Sequence, residues 1–147
     1  MIEKSIERLQ FLCDTIPHVL YEIDEQHFSS KPIPGKWSKK EIIGHLIDSA
    51  TNNHHRFVRG QFEETPRITY DQNKWNESNY YDKIDGKQII SFWAAYNKQL
   101  LELFKQIPKE KLNNKVNSSG EDTYTIGYLI MDYVRHLEHH LQQVVSY

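Results

Sequence analysis

Four separated stretches of this chain place apolar residues in alternating steps of three and four, the spacing of a single buried stripe on an α-helix. The first runs through Ile2, Ile6, Leu9, Cys13, Ile16, Leu20 and Ile23. It keeps its register across Pro17, so the pattern predicts one helix ending by about Gln26 and kinked near Thr15 to Pro17, where proline removes a backbone hydrogen bond. Breakers Ser29, Ser30, Pro32, Pro34 and Gly35 then predict a loop over Phe28 to Lys36. Ser38-Lys39-Lys40-Glu41 has the spacing of a capping box and opens a second helix whose buried side is Ile42, Ile43, Leu46, Ile47, Ala50 and Phe57, ending by about Gly60. A third helix follows Gly86 with Ile89, Trp93, Tyr96, Leu100, Leu103 and Ile107 on its stripe and stops at Pro108. A polar loop is expected from Asn113 to Thr123, after which Thr123 or Thr125 caps a last helix.

No stretch alternates with the period of two that marks a strand, and no repeat or low-complexity tract interrupts the order. The expected fold is therefore all-α: a four-helix bundle in one domain over residues 1–147, with a long crossover between helices 2 and 3. That crossover, Gln61 to Asp85, carries Phe62, Tyr70, Trp75, Tyr80 and Tyr81. A connection of this length usually holds short elements of its own or serves a site, and its rings either pin it to the bundle or roof a pocket.

The formal net charge is -2, with Lys and Arg interleaved among Asp and Glu, which gives no basic surface for nucleic acid or anionic lipid. No apolar run approaches the ~20 residues of a membrane span, and Glu3, Glu7 and Asp14 interrupt the N-terminal stripe, unlike a secretory signal. The single cysteine, Cys13, excludes an internal disulfide and a cysteine-built metal site; lying on the first stripe, it is read as packing. A cytoplasmic protein is expected.

Histidine occurs eight times, three of them within Arg135-His136-Leu137-Glu138-His139-His140-Leu141-Gln142. At about 100° per residue, His136 and His140 fall one turn apart on one face, and His139 falls elsewhere. Ile126, Leu129, Ile130, Tyr133, Leu137, Leu141 and Val144 form the stripe, with His136 and His140 on its inner margin and His139 towards solvent. Two imidazoles at i and i+4 are half of many zinc, nickel or iron sites; alone they are somewhat more often half-exposed helix residues. On the second helix, His45, Ser49, Asn52 and Arg56 form a polar stripe beside Asp48, and periodicity alone assigns it to solvent. His54 and His55 are read as surface or interface residues.

The run Pro34-Gly35-Lys36-Trp37-Ser38 with Glu41, then His45-Leu46-Ile47-Asp48-Ser49 with Asn52 and Arg56, Tyr70-Asp71 followed by Trp75, and finally His136-Leu137-Glu138-His139-His140, resembles the DinB-like family of metal-binding four-helix bundles. Within it the chain is most similar to the branch containing the bacillithiol S-transferases, once described as metal-dependent hydrolases. The resemblance implies that His45, His136 and His140 bind one divalent ion, zinc or nickel, and so moves His45 from solvent into a cleft. It also implies a homodimer and a small-molecule substrate, with Asn52 and Arg56 at recurring polar positions.

An ion with three protein ligands and an open position admits two chemistries. It stabilises the thiolate of a low-molecular-weight thiol such as bacillithiol for attack on an electrophile, with Asn52 and Arg56 placed to hold the thiol's carboxylates. Alternatively it lowers the pKa of water for hydrolysis, for which Asp48 and Glu138 are the nearest carboxylates in sequence although helical geometry aims neither at the ion. A non-enzymatic metal- or partner-binding bundle is the third possibility. Arg135 and Glu138 are expected to make helix-surface ion pairs.

Overall fold

The computed structural model describes residues 1–147. Its long helices are α1 (Glu3–Tyr21), α3 (Lys39–Arg59), α5 (Gly86–Gln106) and α6 (Ile126–Leu141), with short helices α2 (Glu25–Ser29) and α4 (Gln72–Ser78) in the connections. Each long helix buries the stripe read from its sequence, and these residues form one continuous core. α1 packs against α5 and α6, and α3 packs against the same two. α1 and α3 therefore face each other across one diagonal of the bundle, α5 and α6 across the other. This order makes α3 and α6 neighbours although α5 separates them in sequence, and it positions the site.

α1 passes through Pro17 but ends at Tyr21, earlier than the stripe suggested. Asp24 is the reason. Its carboxylate accepts from the backbone N–H of His27 at 2.8 Å and starts the separate helix α2. Phe28, expected in a loop, belongs to α2 and is fully packed against the start of α5 at Gly86. Lys40, buried on α3, ties this corner together through Glu25 and the Ile84 carbonyl, each at 2.8 Å.

α3 begins with the capping box that its sequence announced: the Ser38 hydroxyl accepts from Glu41 N–H, and the Glu41 carboxylate accepts from Ser38 N–H. In the crossover, Asp71 caps α4 and a 3-10 turn spans Tyr81–Lys83, entered by Tyr80 in a left-handed conformation at φ 54. Tyr81 is buried while Phe62 and Tyr80 remain exposed, so only some of the crossover rings pin it down.

The expected polar loop between α5 and α6 contains a two-stranded antiparallel hairpin, β1 (Lys115–Asn117) and β2 (Thr123–Thr125). Its strands are three residues long, too short for a readable alternation. The hairpin is stitched to the crossover by Ile68 N–H to the Asn117 carbonyl at 2.9 Å and Asn117 N–H to the Pro66 carbonyl at 3.0 Å. Thr125, not Thr123, caps α6, its hydroxyl accepting from Tyr128 N–H.

Candidate metal centre

α3 has two buried faces. Ile43, Leu46, Ile47, Ala50 and Phe57 enter the core, and His45, Asp48, Ser49, Asn52 and Arg56 are buried as well. The solvent face that periodicity assigned to this polar stripe is thus overturned: α6 on one side and the crossover on the other cover it. A periodicity argument identifies the most apolar face of a helix but not whether the opposite face is also covered.

His45 is 1 % exposed and its Nε2 lies 3.4 Å from Nε2 of His136. The His140 ring completes the cluster, with centroids 4.8 Å from His45 and 4.6 Å from His136. One nitrogen from each of the three rings falls within 4.8 Å of the others. Two nitrogens bound tetrahedrally to one zinc at ~2.05 Å stand about 3.3 Å apart, so the His45–His136 spacing is that of ligands sharing an ion. His139 is exposed and does not join the group.

Protonation favours the same use. Burial, reinforced by the neighbouring His136 and His140, pushes the His45 pKa down to about 3. Burial, then His140, pushes His136 down to about 4, and burial also lowers His140. At neutral pH all three rings are uncharged, as metal ligation requires. His140 Nδ1 pairs with Gln143 Oε1 at 3.1 Å, which sets Nδ1 as the donor and leaves Nε2 with its lone pair free. His45 Nδ1 is buried without a protein partner in either tautomer. The donor set, spacing and charge state fit a divalent ion.

Beside His136 opens a cavity of about 230 Å³ lined by Ser49, Asn53, Arg56, Tyr70 and Asp132, with Tyr124 and Tyr128 stacked at its wall with ring centroids 4.9 Å apart. Arg56 is its most unusual member. This buried guanidinium bonds the Ile68 carbonyl at 3.0 Å, Asn53 Oδ1 at 3.2 Å and the Ser118 carbonyl at 3.4 Å, all of them neutral. The Tyr70 ring lies 5.9 Å from its centre. No carboxylate bonds to it, in contrast to Lys40; Asp132 on the same cavity acts on it only through space and is itself paired with Arg135.

Of the two polar residues singled out with the histidines, Arg56 lines this cavity and Asn52 does not: Asn52 donates to the Asp48 carbonyl at 2.9 Å, and Asn53 takes the lining position. Asp48 is engaged elsewhere. Its Oδ1 accepts from the Tyr81 hydroxyl at 2.6 Å and from Asn79 at 2.9 Å, while burial pushes its pKa up to about 6. Glu138 pairs across to Arg8 on α1 and accepts from the Tyr147 hydroxyl, away from the imidazoles. Neither carboxylate serves the cluster as a base. Arg135 makes the surface pair anticipated for it, with Asp132.

His54 Nδ1 meets the Tyr96 hydroxyl at 2.9 Å, and His55 is exposed. Cys13 is buried, and burial pushes its thiol up to about 11, far from a nucleophile. Sequence reasoning missed Asp132, Asn53, Ser118 and the Tyr124–Tyr128 pair. Asp132 carried a signal, since it lies one turn before His136 on the same face of α6.

A mostly helical bundle with a three-histidine cluster between its second and last long helices defines a recognisable class of protein. The DinB superfamily pattern matches residues 7–144, and the chain belongs to that superfamily. A protein of Oceanobacillus iheyensis, assigned by name provisionally to the metal-dependent hydrolases, is 23% identical over 99% of this chain and 85% of its own length. A Bacillus cereus protein of the same provisional assignment is 22% identical over 99% of this chain and 84% of its own. Among solved structures, YfiT from Bacillus subtilis, described provisionally as a metal-dependent hydrolase with an unusual four-helix bundle topology, superposes with TM-score 0.86 at 20% identity, over 97% of this chain and 82% of that one. A mycothiol-dependent maleylpyruvate isomerase superposes with TM-score 0.77 at 11% identity, over 96% of this chain and 60% of that one. These likenesses show the four-helix-bundle fold.

Proposed function

We propose that this chain is a metal-dependent S-transferase that joins a low-molecular-weight thiol of the bacillithiol type to an electrophile. The observation that carries the reading is the convergence of three uncharged imidazoles within 4.8 Å, beside a cavity that also holds an unpaired, buried guanidinium. His45, His136 and His140 would hold a zinc or nickel ion, which would supply the Lewis acidity that lowers the pKa of a thiol or of water.

The remaining work falls to the protein. Arg56 spends three of its five N–H donors on Ile68, Asn53 and Ser118, which fixes the plane of the guanidinium and leaves two donors for a ligand carboxylate. Gln143 holds the His140 ring in the tautomer that points its free nitrogen inward. The absence of a free carboxylate base among Asp48 and Glu138 favours a thiol, which needs no base once its pKa is lowered. The fold shared with a mycothiol-dependent enzyme supports thiol use. A homodimer belongs to the same reading and is decided by the mass in solution.

One observation favours hydrolysis instead. Asp132 lines the same cavity as His136, and relatives carry provisional hydrolase assignments. The deciding experiment first counts metal in purified wild-type protein and in His45→Ala: about one zinc or nickel per chain, lost in the variant, is expected for a three-ligand site. Loaded protein is then given an alkyl halide with and without bacillithiol, and an ester without it. Thiol-dependent halide release supports transfer; thiol-independent ester cleavage, lost in Asp132→Asn, supports hydrolysis; an absence of metal even after reconstitution refutes both.

A further inference from the structure

A second cavity of different character is separated from the histidine cluster by single residues. Pro32, Ile33, Trp37, Ile42 and Gln143 line a space of about 580 Å³ at the N-terminal end of α3. Two of these residues touch the cluster directly. The Trp37 ring lies against His45 with centroids 4.8 Å apart, and Gln143 is the residue bonded to His140. α3 and α6 run antiparallel, so their residues order the two cavities and the cluster along the helix pair. Ile42 and Gln143 lie at one side, His45, His136 and His140 in the middle, and Asn53, Arg56 and Asp132 at the other.

The two sides differ in chemistry. The Arg56 cavity offers a fixed cation and hydroxyl-bearing rings. The Trp37 cavity has no acidic residue, and presents an indole face and an isoleucine, Ile33, that is 54% exposed on a proline- and glycine-containing loop. Pockets that take apolar ligands combine such a wall with a few polar groups at the edge, here Lys36, Gln72 and Asn73.

We infer that the Trp37 cavity binds the acceptor substrate of the transfer, a small electrophile with an apolar, ring-sized body, while the carboxylates of the thiol occupy the Arg56 cavity. This rests on the transferase reading above. The two substrates approach the cluster from opposite sides, so the sulfur and the electrophilic carbon meet at the imidazoles without competing for one pocket. With a benzylic halide the balance is simple: the thiol proton passes to solvent, a carbon–sulfur bond forms, the carbon–halogen bond breaks and halide leaves. Trp37 and Ile33 supply the face against which the ring packs.

The test uses the metal-loaded full chain with bacillithiol, benzyl chloride and, as a polar electrophile, chloroacetamide. Ile33 is exposed, so Ile33→Glu leaves the core untouched. The expected result is a KM for benzyl chloride raised on the order of tenfold in Ile33→Glu and restored in Ile33→Leu, with a smaller rise for chloroacetamide and with KM for bacillithiol and metal per chain unchanged. An unchanged KM for benzyl chloride, or a rise in KM for the thiol instead, overturns the assignment. Benzyl alcohol, an unreactive probe, is titrated in parallel while the Trp37 indole N–H is followed by NMR. If wild-type protein joins bacillithiol to no electrophile, the transferase reading fails, and this titration judges the cavity by itself. A saturable shift lost in Ile33→Glu upholds the apolar site, and no shift overturns it.

Discussion

Gly44, immediately before His45 in the interior of α3, sets two physical effects against each other. Intrinsic helix preference says that Gly44→Ala stabilises the chain by about 1 kcal/mol. The structure says otherwise. A Cβ built there lies 2.2, 2.5 and 2.6 Å from three ring carbons of Tyr81, which is packed flat against the glycine. Ordinary contact is about 3.5 Å, so the ring would have to retreat by more than ~1 Å. It is 6% exposed, and its hydroxyl donates to Asp48 at 2.6 Å. A retreat breaks that bond and leaves Asp48, whose Oδ2 already lacks a partner, with Asn79 alone. Overpacking costs about 1–3 kcal/mol and stranding the buried acceptor about 1–3 kcal/mol. Set against the propensity gain, the net is a destabilisation of about 3 kcal/mol, or a fall in Tm of roughly 10 °C for a domain of this size. Urea and thermal unfolding followed by circular dichroism measure it. Removing the ring in the Gly44→Ala/Tyr81→Ala pair should cost less than Tyr81→Ala costs alone, since the clash is then relieved. A Gly44→Ala protein as stable as wild type refutes the argument that Tyr81 clamps the crossover onto α3.

The metal-free protein should lose stability as pH falls. His45 and His136 have folded pKa values depressed to about 3 and about 4 from 6.5, so the unfolded chain takes up their protons first. Each then loses about 2 kcal/mol of stabilisation between about pH 8 and about pH 5. Asp48, raised to about 6 from 3.8, opposes this by about 1 kcal/mol as it protonates. The net loss of about 3 kcal/mol is read from urea unfolding at the two pH values, and a flat profile contradicts it. Arg56→Met should raise KM for bacillithiol tenfold or more, from the loss of about 1.5–3 kcal/mol of charged hydrogen bonding, with metal per chain unchanged; an unaltered KM removes Arg56 from the thiol site. Ser38→Ala should cost about 1 kcal/mol in thermal unfolding by opening the capping box of α3, and no loss would show that the Glu41 half suffices.

The bundle was legible because its four stripes follow the helical period and its clearest start, Ser38 to Glu41, is written in adjacent residues. What escaped was local or covered. Asp24 reads as one more acidic residue until its carboxylate is seen to restart the chain as α2, and Lys115 to Thr125 pairs through backbone hydrogen bonds that three-residue strands barely encode. His136 and His140 were legible as a pair from their spacing. His45 came from family resemblance, because nothing in one helix states which helix packs on it. Asn53 and Asp132 reach the cavity through that same packing, and Asn52, one residue from Asn53, does not.

The row of buried polar groups on α3 is poorly explained by stability. Such a row costs free energy unless every group is bonded, and an apolar row of similar volume generally packs at no loss. The helix satisfies part of it from its own backbone: Asn52 donates to the Asp48 carbonyl and Asn53 to the Ser49 carbonyl, each at about one turn's reach. What this self-bonding leaves over is instructive. His45 Nδ1 and Asp48 Oδ2 have no protein partner, and Arg56 has no acid; Trp93 Nε1, the other unpartnered buried atom, sits apart on α5 in the core. Of these, His45 and Arg56 lie on the helix face that carries the imidazole cluster and the cavity beside it, while Asp48 faces the crossover. A face retained only for packing would have been expected to lose its unpaired charge to an apolar side chain. One retained for a ligand keeps its unmet donors where the ligand's own acceptors complete them, and on α3 the guanidinium with two free donors borders the same cavity as His136.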